Sequence, residues 1–223
     1  MGLTALVAVG IAAALDAAFA EPPSRVHPIA MFGRVVGKVD RKWRRPRAVG
    51  VAAAVALPLG FAAVAWGVVE GGGTLIAGDE GAAVATAVVA GLALFSLTSL
   101  RMLVSVAREV TDAADRDADA ARESAIALVG RDTSSLSAAE IRSAGVESAA
   151  ENLADGLVAP LLGFAVGAQA SLAVGVAAAA WVKGVNTLDS MLDYPDKSVG
   201  TASARLDDAV MWVPARVSAV LLA

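Results

Sequence analysis

From Leu157 to Val182 the chain runs for 26 residues without a charged side chain, and Val49 to Val69 repeats the pattern over 21. A helix of about twenty apolar residues spans the hydrocarbon core of a bilayer. Soluble domains rarely hold two such stretches. Two further segments, Leu3–Phe19 and Ala82–Leu100, are apolar apart from a few polar side chains, Asp16 among them. The apolar mass is Ala, Val and Leu, with only 4 % aromatic residues. Small side chains suit close helix–helix packing in lipid, where burial from water no longer drives association. The predicted fold is an all-α polytopic membrane helical bundle. An Ala-rich soluble bundle is the competing architecture, and the length and neutrality of these segments argue against it.

Read in order, one domain covers residues 1–223. Spans are expected at 3–19, 49–69 and 82–100. A segment at 157–182 either spans or re-enters, a partial span covers 210–223, and a cytoplasmic helical insert covers 101–156. A signal peptide at 3–19 is disfavoured, because no Lys or Arg precedes it. Eight of the eighteen Lys and Arg residues lie between Arg25 and Arg47, and six more between Arg101 and Arg142. Both stretches are therefore placed on the cytoplasmic side of the cell membrane. Glu70–Gly81, glycine-rich and without Lys or Arg, is expected as an outer loop. Pro22, Pro23 and Pro28 make Glu21–His27 a fixed loop. If 157–182 bends around Gly167–Ser171, the polar blocks on either side of it meet on one face, and such irregular backbone is tolerated where it is buried in protein or lines a cavity.

Those blocks are Gly130–Gly156 and Val182–Arg216. In the first, Ser137-Ala-Ala-Glu140 forms a capping box that starts a helix near Ala138. On that helix Glu147, Glu151 and Asp155 are four apart and share a stripe, with Asn152 beside them. Like charges at that spacing repel, so a compensating cation is expected. Oxygen-only ligands favour Mg²⁺ over zinc. The bland reading, a solvated face in an acidic protein of net charge −4, stands beside it. The second block carries Asn186, Asp189, Asp193, Arg205, Asp207, Asp208 and Arg216. Asp16, at the end of the first span, is either functional or simply interfacial.

Several classes of function are excluded or disfavoured. Without cysteine there is no disulfide, thiolate–zinc or cysteine-nucleophile chemistry, and His27 is the only histidine. The basic cluster lacks the interleaved aromatics of a nucleic-acid surface. There is no phosphate loop, and no internal repeat points to a transporter.

In these residues the chain resembles the CobD/CbiB family of cobalamin-biosynthesis membrane proteins, the adenosylcobinamide-phosphate synthases. The blocks come in order: Asp16, Pro22, His27, Pro28 and Gly33; Gly130-Arg131-Asp132-Thr133; Glu147, Glu151-Asn152 and Asp155-Gly156; Asn186-Thr-Leu-Asp189-Ser-Met191; Ser203-Ala-Arg205-Leu-Asp207-Asp208; and Pro214-Ala-Arg216. Two features depart from the family pattern. Ala20-Glu21-Pro22 stands where the family usually has Gly-Asp-Pro. Family members also continue past the Pro-Ala-Arg motif with another polar block and membrane segment, so a fragment, split gene or degenerate copy is the expectation.

The resemblance implies ATP-dependent amide formation that joins adenosylcobyric acid to aminopropanol or its phosphate, with Mg²⁺ and ATP required. Glu147, Glu151, Asp189, Asp207, Asp208 and His27 are the candidate catalytic residues. Arg131, Asp132, Asn152, Asn186, Arg205 and Arg216 are candidates for substrate binding, and Glu147, Glu151 and Asp155 for Mg²⁺. The expected partners are the corrinoid and amine substrates, the lipid bilayer, and a second copy or other corrinoid-pathway membrane proteins. The alternative is a non-catalytic membrane scaffold or signalling protein like the AmpE group, or an inactive fragment of the enzyme.

Overall fold

The computed structural model describes residues 2–101, 103–105, 108, 138–192 and 198–222. Among them the regular structure is helical: α1 (Leu3–Phe19), α2 (Pro28–Val36), α3 (Pro46–Phe95), α4 (Ala138–Leu153), a π-helical turn (Ala154–Val158), α5 (Ala159–Gly167), α6 (Leu172–Leu192) and α7 (Thr201–Leu222). The part of the expected helical insert at 109–137, the Ser137 cap included, falls outside the described residues.

The α3 run is folded on itself. In a straight helix Gly73 and Thr86 would be roughly 20 Å apart at 1.5 Å per residue. Instead, a Cβ on Gly73 would collide with Thr86 Oγ1, and one on Gly72 would lie 3.2 Å from Val89 Cγ1. The arms are Pro46–Ile76 and Gly81–Phe95. The expected outer loop at Glu70–Gly81 is thus helical, with Gly72 and Gly73 serving as notches for the second arm. That arm ends at Phe95, short of the predicted Leu100.

The chain also reverses at residues 168–171. Gly167 lies so close to α6 that a Cβ would stand 2.6 Å from Val174 O. α5 and α6 therefore form a tight hairpin whose open end faces the polar blocks. α7 begins at Thr201, not Val210, and passes through Pro214 to Leu222, so Arg205, Asp207 and Asp208 are helical residues.

One core joins Ala5, Ala8 and Ala12 of α1 to Leu94 and Ala90 of α3, Phe164 of α5, and Val176, Ala179 and Ala180 of α6. A second joins Phe32 and Val36 of α2 to Ala54, Leu188 and Leu192, and Phe32 stacks on Phe61 at 4.8 Å between centroids. Two helices, Pro46–Ile76 and Ala149–Gly167, are long and apolar enough to cross a membrane; Leu3–Phe19 and Gly81–Phe95 are apolar but shorter. Large aliphatic side chains, among them Leu6, Val55, Val64, Val68, Ile76 and Val88, face outward.

The ends of α1 and the second arm of α3 are clasped. Asp16, buried, accepts the backbone N–H groups of Leu100 and Arg101, each at 3.0 Å. The Arg101 guanidinium in turn donates to the carbonyls of Ala17 and Ala18 at the end of α1. Each charge satisfies backbone groups that a helix terminus leaves open, which gives Asp16 a structural role.

Candidate functional site

Four cavities open around the polar end of the bundle. The first, about 610 Å³, is lined by Glu147, Glu151, Asp155, Asp207, Asp208, Trp212 and Arg216. It therefore gathers carboxylates from both polar blocks. The π-helical turn is central to it. Widening the helix there frees carbonyls from the regular ladder, and such turns recur at functional sites. Asp155 O accepts from Lys183 Nζ at 3.2 Å, and Gly156 O from the Ser99 amide at 3.0 Å. The Asp155 side chain turns inward, where its Oδ2 accepts from Asn186 Nδ2 at 2.9 Å.

Asn186, buried on α6, also lies close enough to the Asp207 carboxyl to oppose the rise in its pKa. Asp207 Oδ1 is buried with no hydrogen-bond partner. Burial first, then the charges of Asp189, Asp155 and Asp208, push the Asp207 carboxyl up to about 7 from an ordinary 3.8. Leaving a buried carboxylate oxygen without a donor is costly. Glu147 and Glu151 are exposed at the mouth. Arg216 is held there too: it donates to Trp212 O at 2.7 Å and lies over the Trp212 ring, 3.7 Å from its centroid.

The second cavity, about 510 Å³, is lined by Glu21, Ser24, His27, Ser99, Asn152, Gly156 and Lys183. Glu21 is aimed into it by an unusual turn. Ala20 has φ 64° and ψ −62°, and Glu21 N donates to Phe19 O at 2.8 Å. This is a γ-turn of the strained hand, with a positive φ at its centre. His27 caps α2: its Nδ1 accepts from Ile29 N at 3.2 Å. That bond requires the proton on Nε2, which lies 3.9 Å from Glu21 Oε2. Burial lowers the His27 pKa, with Glu21 opposing and Lys183 adding to the effect, so the ring is neutral at pH 7.

Lys183 stands between these two cavities. Its ammonium lines the second, bonds the Asp155 carbonyl, and feels Asp155, Glu21 and Asp207. A third, apolar cavity of about 460 Å³, with Phe61, Val64, Val68 and Leu92 in its wall, shares Pro22, Ser96 and Leu97 with the second.

Of the residues singled out from sequence, Glu147, Glu151, Asp155, Asp207, Asp208 and Arg216 share one cavity, with Asn186 and Asp189 behind it. His27 and Asn152 line the second cavity. Arg205 lines a fourth, with Arg47. Arg131 and Asp132 lie outside the described residues. Among the described residues no three His, Asp or Glu side chains converge as a metal cage. The sequence reading passed over Lys183 and took Glu21 as a loop residue. The signal for Lys183 was present: it precedes Asn186 by three residues, one turn away on the same helix face.

The family described as CobD/Cbib protein matches residues 9–223. A probable cobalamin biosynthesis protein CobD of Methanothrix thermoacetophila is 33 % identical over 220 residues, covering 95 % of this chain and 68 % of the relative. The cobalamin biosynthesis protein CobD of Geobacter metallireducens is 35 % identical, covering 93 % and 64 %. That of Mycobacterium tuberculosis is also 35 % identical, covering 98 % and 66 %. The chain thus spans about two thirds of the length of these relatives. No solved structure matches it. With the family profile matched from residue 9 to the last residue and relatives above 30 % identity, the chain belongs to the CobD/CbiB family of cobalamin-biosynthesis proteins.

Proposed function

We propose that this chain carries the catalytic face of an ATP-dependent ligase in the cell membrane. It would join the propionate of adenosylcobyric acid to aminopropanol or aminopropanol phosphate. The observation that carries the reading is the pair of adjoining polar cavities divided by Lys183, one rich in carboxylates and the other holding Lys183 with His27 and Asn152.

A carboxylate and an ammonium do not react at neutral pH. In the proposed sequence the propionate oxygen attacks the γ-phosphorus of ATP, and ADP leaves. The amine nitrogen then attacks the acyl carbon, phosphate leaves with the bonding pair, and the amine gives up a proton. Asp207 suits that last task, because a carboxyl poised near 7 exchanges protons readily at neutral pH. Lys183 and Arg216 offer positive charge to the propionate and the phosphates. The third cavity supplies an apolar wall beside the second, suited to a ring with apolar faces and an amide-bearing rim.

The all-oxygen donor set of the acidic cavity fits Mg²⁺, an ion bound through one or two carboxylates together with substrate phosphates and needing no protein cage. One or two of Glu147, Glu151 and Asp155 would hold it, and when bound it would neutralise phosphate charge. The outward-facing aliphatic surface of α1 and α3 supports a bilayer as the surrounding medium. The basic segment supports a cytoplasmic site face.

The test is product formation by the full 223-residue chain in membranes, with adenosylcobyric acid, ATP, Mg²⁺ and the amine, read by the mass of the corrinoid. Asp207→Asn and Lys183→Met should each lower the rate by about 10²-fold or more, and Glu147→Gln less so, with expression unchanged. Full activity in the first two variants would overturn the site. No product from the wild-type chain, even with the C-terminal third of a relative co-expressed, would overturn the ligase reading in favour of a non-catalytic membrane protein.

A further inference from the structure

Arg205, expected beside the carboxylates, opens instead onto a separate cavity of about 490 Å³ at the N-terminal end of α7. Facing it is Arg47, the second residue of α3. Ser198, Thr201, Val51 and Ala202 complete the lining, and among the described residues no acidic side chain contributes. The two arginines come from opposite ends of the chain. They are held together because Gly50 packs directly on the Val199 carbonyl, with no room for a Cβ. Among the described residues neither guanidinium takes part in an ion pair or hydrogen bond.

We propose that the Arg47–Arg205 cavity binds a phosphate group. Two uncompensated guanidinium forks in a chain of net charge −4 form a local positive site that repels cations and attracts anions. Each fork presents paired N–H donors that match two oxygens. A carboxylate has only two oxygens and saturates one fork. A phosphate's free oxygens, three in a monoester and two in a diester, are splayed tetrahedrally rather than held in one plane, so they can face both forks, with the Ser198 and Thr201 hydroxyls beside them. The preceding exposed segment strengthens the anionic preference: Arg41, Lys42, Arg44 and Arg45 lead into it, and Arg41 lies 4.0 Å over the Trp43 ring. The phosphate arrives either on an anionic lipid headgroup, which rests on the membrane reading, or on a small soluble ester, which does not.

The experiment measures thermal stability of the full chain in neutral detergent with three probes: phosphatidylglycerol, glycerol 1-phosphate and oleate. A phosphate site predicts a saturable rise in Tm with one or both phosphate probes and none with oleate. Arg47→Gln and Arg205→Gln should each weaken the response by about tenfold or more. A rise with phosphatidylglycerol alone assigns a lipid headgroup, and a rise with glycerol 1-phosphate assigns a soluble ester. Should a glutamine variant fail to fold, Arg47→Lys and Arg205→Lys keep the charge and lose the fork, and are expected to show an intermediate loss. The absence of any phosphate response in the wild-type chain overturns the proposal. So does an equal response to oleate, or variants that respond like the wild type. None of these readouts depends on ligase activity, so this proposal and the ligase reading fail separately.

Discussion

Ala20 holds a backbone conformation that suits glycine. A Cβ at positive φ costs about 1–2 kcal/mol for an L-residue, and the γ-turn of that hand is itself strained. Ala20→Gly should therefore raise stability by about 0.5–1 kcal/mol after the entropy of a freer unfolded chain is subtracted. Thermal unfolding in detergent would show it, and a fall in Tm would contradict the assigned turn. Asp207 yields a second expectation. Its carboxyl is raised from 3.8 to about 7, so the folded chain keeps a proton that the unfolded chain releases. Its stabilising contribution is complete below pH 3.8 and declines as pH rises to about 7. In Asp207→Asn, which cannot titrate, the fall in Tm across that window should flatten.

At the level of elements, the glycines of α3 and the α5–α6 hairpin have different duties. Gly167→Ala places a Cβ 2.6 Å from the Val174 carbonyl and should cost about 1–3 kcal/mol. Gly60→Ala meets nothing within 4 Å and should be neutral or stabilising by up to about 1 kcal/mol through helix propensity. Chemical unfolding of the pair separates packing from propensity. These elements also show what the sequence disclosed. The apolar stretches stood out because charges vanish over spanning length. The glycines at 71–73 read as a loop because glycine signals turns and helix contacts alike; only the neighbouring arm reveals that Gly72 and Gly73 are packing notches. Pro214 read as an interruption, yet α7 runs through it, because a helix survives the loss of one backbone donor when its neighbours hold it.

Across the whole molecule, polar residues from both ends of the chain meet at one end of the bundle, and aliphatic residues cover the flanks. Because the chain has no cysteine, single substitutions give a clean map. In sealed inside-out vesicles, Ser24→Cys and Thr201→Cys should react with an impermeant maleimide, whereas Leu75→Cys should react only in right-side-out preparations. Labelling of all three from both faces would sink the spanning reading. The two polar blocks that hold Asp155, Asn186 and Asp207 stood out in the sequence, but the Asp155–Asn186 hydrogen bond between them did not. Nor did the division into separate cavities, because spacing along a chain does not reveal how helices rotate against one another. Asn152 and Glu151 are neighbours in sequence and line different cavities. α7 takes this furthest. Its first two turns wall the arginine cavity and the following turns wall the acidic one. An insertion or deletion between Arg205 and Asp207 would turn one wall by about 100° relative to the other. That stretch should therefore tolerate substitution but not a change of length.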